Sequence, residues 1–267
     1  MGGAVSLVSR PASAAPAGML SREQVEAKKL GRVLADRGVK KVILIRHANA
    51  KPRDPEAAAV EAGAVLKPET PHANAWTIGD LTRPLTDKGE EQAAAAKAAY
   101  LDSLAVRAVV ASEATRAIAT KDIMTGGKFP KDGSGTLTLH TLHPSRSGTP
   151  ECEKMFDKLG YGTLNTYYSD NTVEGCEGRG KAIFRHYVSK VTAELQGLLA
   201  QGIANQPSEG DTVAVFGHAV FLNAVAVAVG EAMGIEQADE KVAVLELGEA
   251  QGILCDASTQ SIELKAA

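Results

Sequence analysis

The chain has 267 residues, 44% of them hydrophobic and 23% charged, a balance that suits one large globular domain with a sizeable core. Its formal net charge of -3 gives no basic field, which argues against a nucleic-acid partner and requires any anion site to be a local cluster of cations. Three widely spaced cysteines, Cys152, Cys176 and Cys255, lack metal-ligand spacing and point to buried thiols in a reducing compartment. The longest apolar run, Ala219 to Val229, is too short to span a bilayer, so no transmembrane segment is expected.

Residues 1–21 are rich in Ala and Ser and contain no Asp or Glu. They read as a flexible leader, as a transit-like segment for an organelle, or, from Gly2 and Ser6, as an N-myristoylation signal. Residues 22–267 read as a single domain with insertions near 51–80 and 143–178. Helical periodicity from Arg22 to Arg37, opened by a Ser21/Gln24 capping-box spacing and stopped by Gly38, leads into Lys41-Val42-Ile43-Leu44-Ile45-Arg46-His47. That unbroken apolar run predicts a strand buried on both faces, with Arg46 and His47 at its carboxyl end.

Pro52, Pro55, Pro68 and Pro71 then break periodicity, except for a short helix expected near Glu56 to Ala62. Thr86 is an expected N-cap for an alanine-rich helix running to about Ser103. Ala108 to Ala111 form a second expected strand, followed by Ser112 as the cap of a helix that carries Arg116 near its start. Alternation predicts a third strand over Thr136 to Leu142, and Thr149-Pro150-Glu151 opens a short helix ending near Leu159-Gly160. An amphipathic helix spans about Arg179 to Leu199. Thr212 to Phe216 form another buried strand, ending at Gly217-His218 and entering an apolar helix over Ala219 to Val229. The segments Val242 to Leu247, Ile253-Leu254 and Ile262 to Leu264 read as short antiparallel edge strands.

Three predicted strand ends thus deliver Arg46 with His47, Arg116 beside Ser112, and His218. Each has a plainer explanation taken alone, but parallel strands would open all of them onto one crevice. Two guanidinium forks and two imidazoles make a site for a dianionic phosphoryl group, each charge-assisted bond contributing roughly 1.5–3 kcal/mol. The helix after Ser112 would add its N-terminal dipole. No carboxylate cluster accompanies the histidines, and the arginines would repel a cation, so neither metal nor other cofactor is expected. A histidine between arginines suits the role of nucleophile, because like charges hold its pKa down.

Four motifs in order, Arg46-His47-Ala48, Leu85-Thr86-x-x-Gly89-x-x-Gln92-Ala93, Ser112-x-x-x-Arg116-Ala117-x-x-Thr120 and Gly217-His218, resemble the histidine phosphatase superfamily over about Lys40 to Leu247. The Arg-His-Ala form, with Asp80-x-x-Arg83-Pro84, is most similar to the small bacterial phosphohistidine phosphatases. The resemblance implies an α/β three-layer sandwich of the phosphoglycerate-mutase type, with a mostly parallel central sheet and helices on both faces. It further implies a metal-independent hydrolase in which His47 attacks phosphorus, Arg46 and Arg116 clamp the oxygens, His218 stabilises the transferring group and Arg83 adds a cation at the rim. The general acid usual in the family has no clear counterpart here. Glu151 is the first candidate, with Glu113, Glu174 and Glu177 as alternatives, whereas the phosphohistidine phosphatases manage without one. The expected substrate is a phosphohistidine or small phosphomonoester, carried by a small molecule or a phosphoprotein. The alternatives are an inactive scaffold that uses its insertions to bind a protein partner and, less well matched, a phosphoglycerate-type mutase.

Overall fold

The structure, a computed structural model, describes residues 22–52, 79–129, 135–202 and 209–267. The leader and most of the first insertion, including the helix expected near Glu56 to Ala62, lie outside these residues. In chain order the elements are α1 (Arg22–Asp36), β1 (Lys41–Arg46), α2 (Asp87–Ala99), β2 (Val106–Ala111), α3 (Thr115–Thr125), β3 (Thr136–Thr138), α4 (Pro150–Leu159), α5 (Leu164–Tyr168), α6 (Gly180–Gly202), β4 (Thr212–Gly217), α7 (Phe221–Ala232), α8 (Ala238–Ala243), β5 (Gly252–Asp256) and β6 (Ser261–Lys265).

One six-stranded sheet has the order β3-β2-β4-β1-β5-β6. β1, β2, β3 and β4 run parallel, while β5 is antiparallel to β1 and β6 to β5. The sheet's strands alternate their side chains between two apolar layers. Val42, Leu44, Val110 and Val215 point to one layer with α1, α6 and α7. Ile43, Ile45, Val109 and Phe216 point to the other with α2 and α3. Helices therefore cover both faces, as the unbroken apolar strands require. Among the described residues no helix is long and apolar enough to cross a membrane.

Three local expectations are corrected. β3 ends at Thr138, and the chain tightens into 3₁₀ turns at His140–Leu142 and Pro144–Arg146 instead of continuing as a strand. Val242 to Leu247 is no edge strand: Val242 and Ala243 close α8 as buried residues, Val244 beyond it is exposed, and Leu247 is buried in the irregular segment that follows. Ser112 does not cap α3. The cap position falls to Ala114, with no side-chain bond, and Ser112 is turned toward the site.

The Leu85-to-Ala93 motif acts as a buttress. The Thr86 hydroxyl caps α2 by accepting from the Gly89 N–H at 3.1 Å, and it donates to Asn49 Oδ1 at 2.7 Å. Gln92 Oε1 accepts from the Asn49 backbone N–H at 2.9 Å. A Cβ on Gly89 would lie 2.0 Å from the Asn49 carbonyl oxygen, so only glycine lets α2 approach the chain just beyond β1. Gly89→Ala is expected to push that segment away, lowering stability by about 1–3 kcal/mol, the usual cost of overpacking. Chemical denaturation measures it; an unchanged midpoint would show that the contact is not tight.

Candidate active site

The parallel strands bring their carboxyl ends together, and the chain leaving each supplies the site. His47 follows β1, fixed by its N–H donating to the Gly217 carbonyl at 2.9 Å. Its Nδ1 lies 2.8 Å from the Ala48 carbonyl oxygen. A carbonyl only accepts, so Nδ1 carries the proton and the neutral ring keeps its lone pair on Nε2. Burial, with the charges of Arg116, Arg46 and Arg83, holds the His47 pKa well below the ordinary value, outweighing the Ala48 bond. Ala48 is itself held, its N–H donating to Thr120 Oγ1 at 3.0 Å, while the Thr120 hydroxyl donates to the Arg116 carbonyl at 2.8 Å. Arg116 and Thr120, one turn apart on α3, thus connect the Arg116 guanidinium to the loop that carries His47.

His218 follows β4. Its ring centroid is 5.4 Å from that of His47 and 5.0 Å from that of His143. Arg116 Nη2 donates to His218 Nδ1 at 3.1 Å, leaving Nε2–H to donate to Ser112 Oγ at 3.0 Å. Burial and Arg116 keep this ring well below its ordinary pKa too, with smaller contributions from His143 and His47. A Cβ on Gly217 would meet the buried Leu142 side chain at 2.7 Å, so that side chain would have to shift. The turn that aims His218 places Val220, a β-branched residue, at φ 64°, a conformation that costs of order 1–3 kcal/mol.

Arg46 and Arg116 are both buried, and among the described residues the Nε of each has no hydrogen-bond partner. A buried guanidinium N–H without an acceptor is costly, and a bound anion would satisfy it. Arg46 Nη1 donates to the Leu247 carbonyl at 3.0 Å, and its guanidinium carbon lies 4.2 Å from the Tyr161 ring centroid.

Asp80, Ser112, His143 and Tyr161 are site residues that sequence reasoning did not assign to the pocket. The Asp80 carboxylate is buried and takes Arg116 Nη2 at 2.8 Å and His143 Nε2 at 2.7 Å on Oδ2, and Arg83 Nη1 at 3.1 Å on Oδ1. Arg116 Nη1 also donates to its backbone carbonyl. Asp80 thereby sets three cationic or basic side chains around one anion. The spacing Asp80-x-x-Arg83 was visible in the sequence but names no partner. His143 is fully buried, its Nδ1 2.6 Å from Ser145 Oγ. The turn before it is tied down where Tyr187 on α6 donates to the Leu142 carbonyl at 2.9 Å.

Arg83 lies at the pocket, as expected, and also donates through Nε to the Lys51 carbonyl at 2.6 Å. Glu151 does not: it is exposed in the first turn of α4 and lines a separate cleft with Arg179 and His186. The pocket carboxylate on that helix is Glu153. Of the alternatives, Glu113 is occupied at the surface by Arg146 and His140, with its pKa lowered by those two partners against the opposing effect of burial. Glu174 and Glu177 do not line the pocket. The three cysteines are free and buried, and burial pushes Cys152 and Cys255 up to about 12.

No family model and no curated protein matches the chain. Among solved structures, the tungstate complex of the protein histidine phosphatase SixA is 16% identical, with 85% of this chain and 96% of that one covered and a TM-score of 0.40. A mycobacterial glucosyl-3-phosphoglycerate phosphatase is 15% identical over 86% and 97%, with a TM-score of 0.44. An Escherichia coli chain assigned provisionally as an alpha-ribazole-5'-P phosphatase is 15% identical over 85% and 95%, also at 0.44. Scores this low bear on neither fold nor chemistry, which rest on the strands and side chains described above.

The pKa values of His47, His143 and His218 are all depressed, chiefly by burial. The unfolded chain, whose imidazoles titrate near 6.5, therefore takes up more protons than the folded one as pH falls. Stability is full above about pH 6.5 and declines below it, by up to about 1.4 kcal/mol per pH unit for each ring. Denaturant midpoints between pH 7 and 5 are expected to show this fall, with a shallower slope in His143→Asn. A flat profile would contradict the burial of these rings as neutral groups.

Proposed function

We propose that the chain is a phosphatase of the histidine phosphatase type, hydrolysing a phosphohistidine or small phosphomonoester through a phosphoenzyme on His47. The observation that carries this reading is the state of His47, a neutral imidazole with Nδ1 spent on Ala48, in the field of two buried arginines that each hold an N–H without a partner among the described residues.

In the first step Nε2 attacks phosphorus and the bond to the leaving oxygen or nitrogen breaks. The His47 ring becomes cationic, and Nδ1–H stays on the Ala48 carbonyl, which steadies that charge. Arg46 and Arg116 neutralise the phosphoryl oxygens, supplying the positioning and electrostatic stabilisation on which phosphoryl transfer depends. An arriving dianion competes with Asp80 for Arg116 and raises the His218 pKa; where Arg116 Nη2 turns from His218 Nδ1 to the phosphoryl oxygens, Nδ1 is freed to take a proton from solvent and the imidazolium adds to the positive field around the transferring group. Water then attacks the phosphohistidine from the opposite side and releases phosphate. A nitrogen leaving group needs less protonation than an alkoxide. Glu153, rather than Glu151, is the carboxylate on α4 from which a proton could reach an ester's leaving oxygen.

Incubation with phosphomonoesters and a phosphohistidine peptide in chelator is expected to give turnover and an acid-labile phosphate on His47. His47→Ala should lose both, and Arg116→Ala should lose at least about 100-fold in kcat/KM, the scale on which removing one stabilising donor acts. Turnover by His47→Ala equal to the parent protein's would remove His47 from the chemistry.

A further inference from the structure

The pocket has two unlike walls. One is the polar floor of His47, Arg116, His143 and His218. The other consists of Phe156 from α4, Tyr161 from the turn after it, and Phe221 at the start of α7. These rings form a continuous aromatic surface: Phe156 meets Tyr161 edge-on at 5.4 Å and 77°, and Phe221 at 5.5 Å and 50°. Phe221 is buried and Phe156 half-buried, so their positions are set by the core. Tyr161 is different, since 54% of it is exposed although it is a large, largely apolar side chain. It is held from beneath by the Arg46 guanidinium, which lies 4.2 Å from its ring centroid. The residue that covers a phosphate-clamping arginine thus also presents an open ring face at the pocket mouth.

We propose that this wall receives the group from which phosphate is removed, and that the preferred substrates carry their phosphate on a planar aromatic group. This rests on the phosphatase reading of the same site. A phosphoryl group seated between His47 and Arg116 points its leaving group away from the nucleophile, since attack and departure are in line. Three rings reward a planar apolar group there by offset or edge-to-face contact. They give a polyhydroxylated carrier little to bond to.

The test compares kcat/KM for benzyl phosphate and ethyl phosphate, whose leaving alcohols are of similar acidity, in the parent protein, Tyr161→Phe and Tyr161→Ala. The parent protein is expected to prefer benzyl phosphate about tenfold, mainly through KM, as a shaped apolar pocket discriminates. Tyr161→Phe keeps the ring and should keep the preference, while Tyr161→Ala should bring it to within about threefold. Since Tyr161 is exposed, its removal does not threaten folding, and a thermal melt checks this. Equal kcat/KM for both esters in the parent protein, or an equal loss on both in Tyr161→Ala, would overturn the specificity proposal while leaving the phosphatase reading intact. Absence of turnover on either ester and of label on His47 would overturn both.

Discussion

Everything in this site depends on keeping one imidazole neutral and correctly oriented in a field of positive charge. His47 is buried next to Arg46 and Arg116, and it is a useful nucleophile only if Nε2 is bare and directed at the pocket. Burial and the two guanidinium groups remove the proton, while the Ala48 carbonyl decides which nitrogen keeps the remaining one. This places demands on the backbone. Ala48 must be held at a fixed height, which Thr120 does from α3, and Asn49 must be fixed behind it, which Thr86, Gly89 and Gln92 do from α2. Two helices on one face of the sheet therefore converge on a three-residue segment after β1, and Thr86, Gly89, Gln92 and Thr120 serve its geometry without lining the pocket.

The same charge problem explains Asp80. Guanidinium groups brought together out of water would repel one another, and an empty site would be expensive. The buried Asp80 carboxylate offsets that charge by bonding Arg116, Arg83 and His143 at once. A dianionic phosphoryl group offers Arg116 the same kind of acceptor with more charge. On the proposed function, carboxylate and substrate would be alternative anions for a shared cation, and Asp80 would keep Arg116 ordered before substrate arrives.

Arg46, His47, Arg116 and His218 were legible in the sequence because each sits within a few residues of the carboxyl end of a strand made obvious by its apolar run. The layered architecture was legible for the same reason. The residues that escaped come from irregular segments, where no periodicity says what faces what. Asp80 lies at the end of a long proline-broken stretch, and His143 lies in a turn where alternation implied that a strand would continue. Glu151 and Glu153 show the limit most sharply: both belong to the helix start that the sequence announced. Two positions on an α-helix differ by about 200° in direction, so the motif located the helix while only packing decided which carboxylate reaches the pocket. Val242 to Leu247 failed by the opposite route, since a short apolar run fits a strand or one side of a helix turn equally well.

The central claim is that His47 Nε2 bonds to phosphorus while Arg46 and Arg116 hold the oxygens. A crystal structure with vanadate, which adopts the trigonal-bipyramidal geometry of the transferring group, tests this most directly. Vanadium is expected within covalent reach of His47 Nε2, its equatorial oxygens contacted by both guanidinium groups and by His218, and Asp80 released from Arg116. Vanadate bound away from His47, or attached through Nδ1 with the Ala48 bond broken, would contradict it.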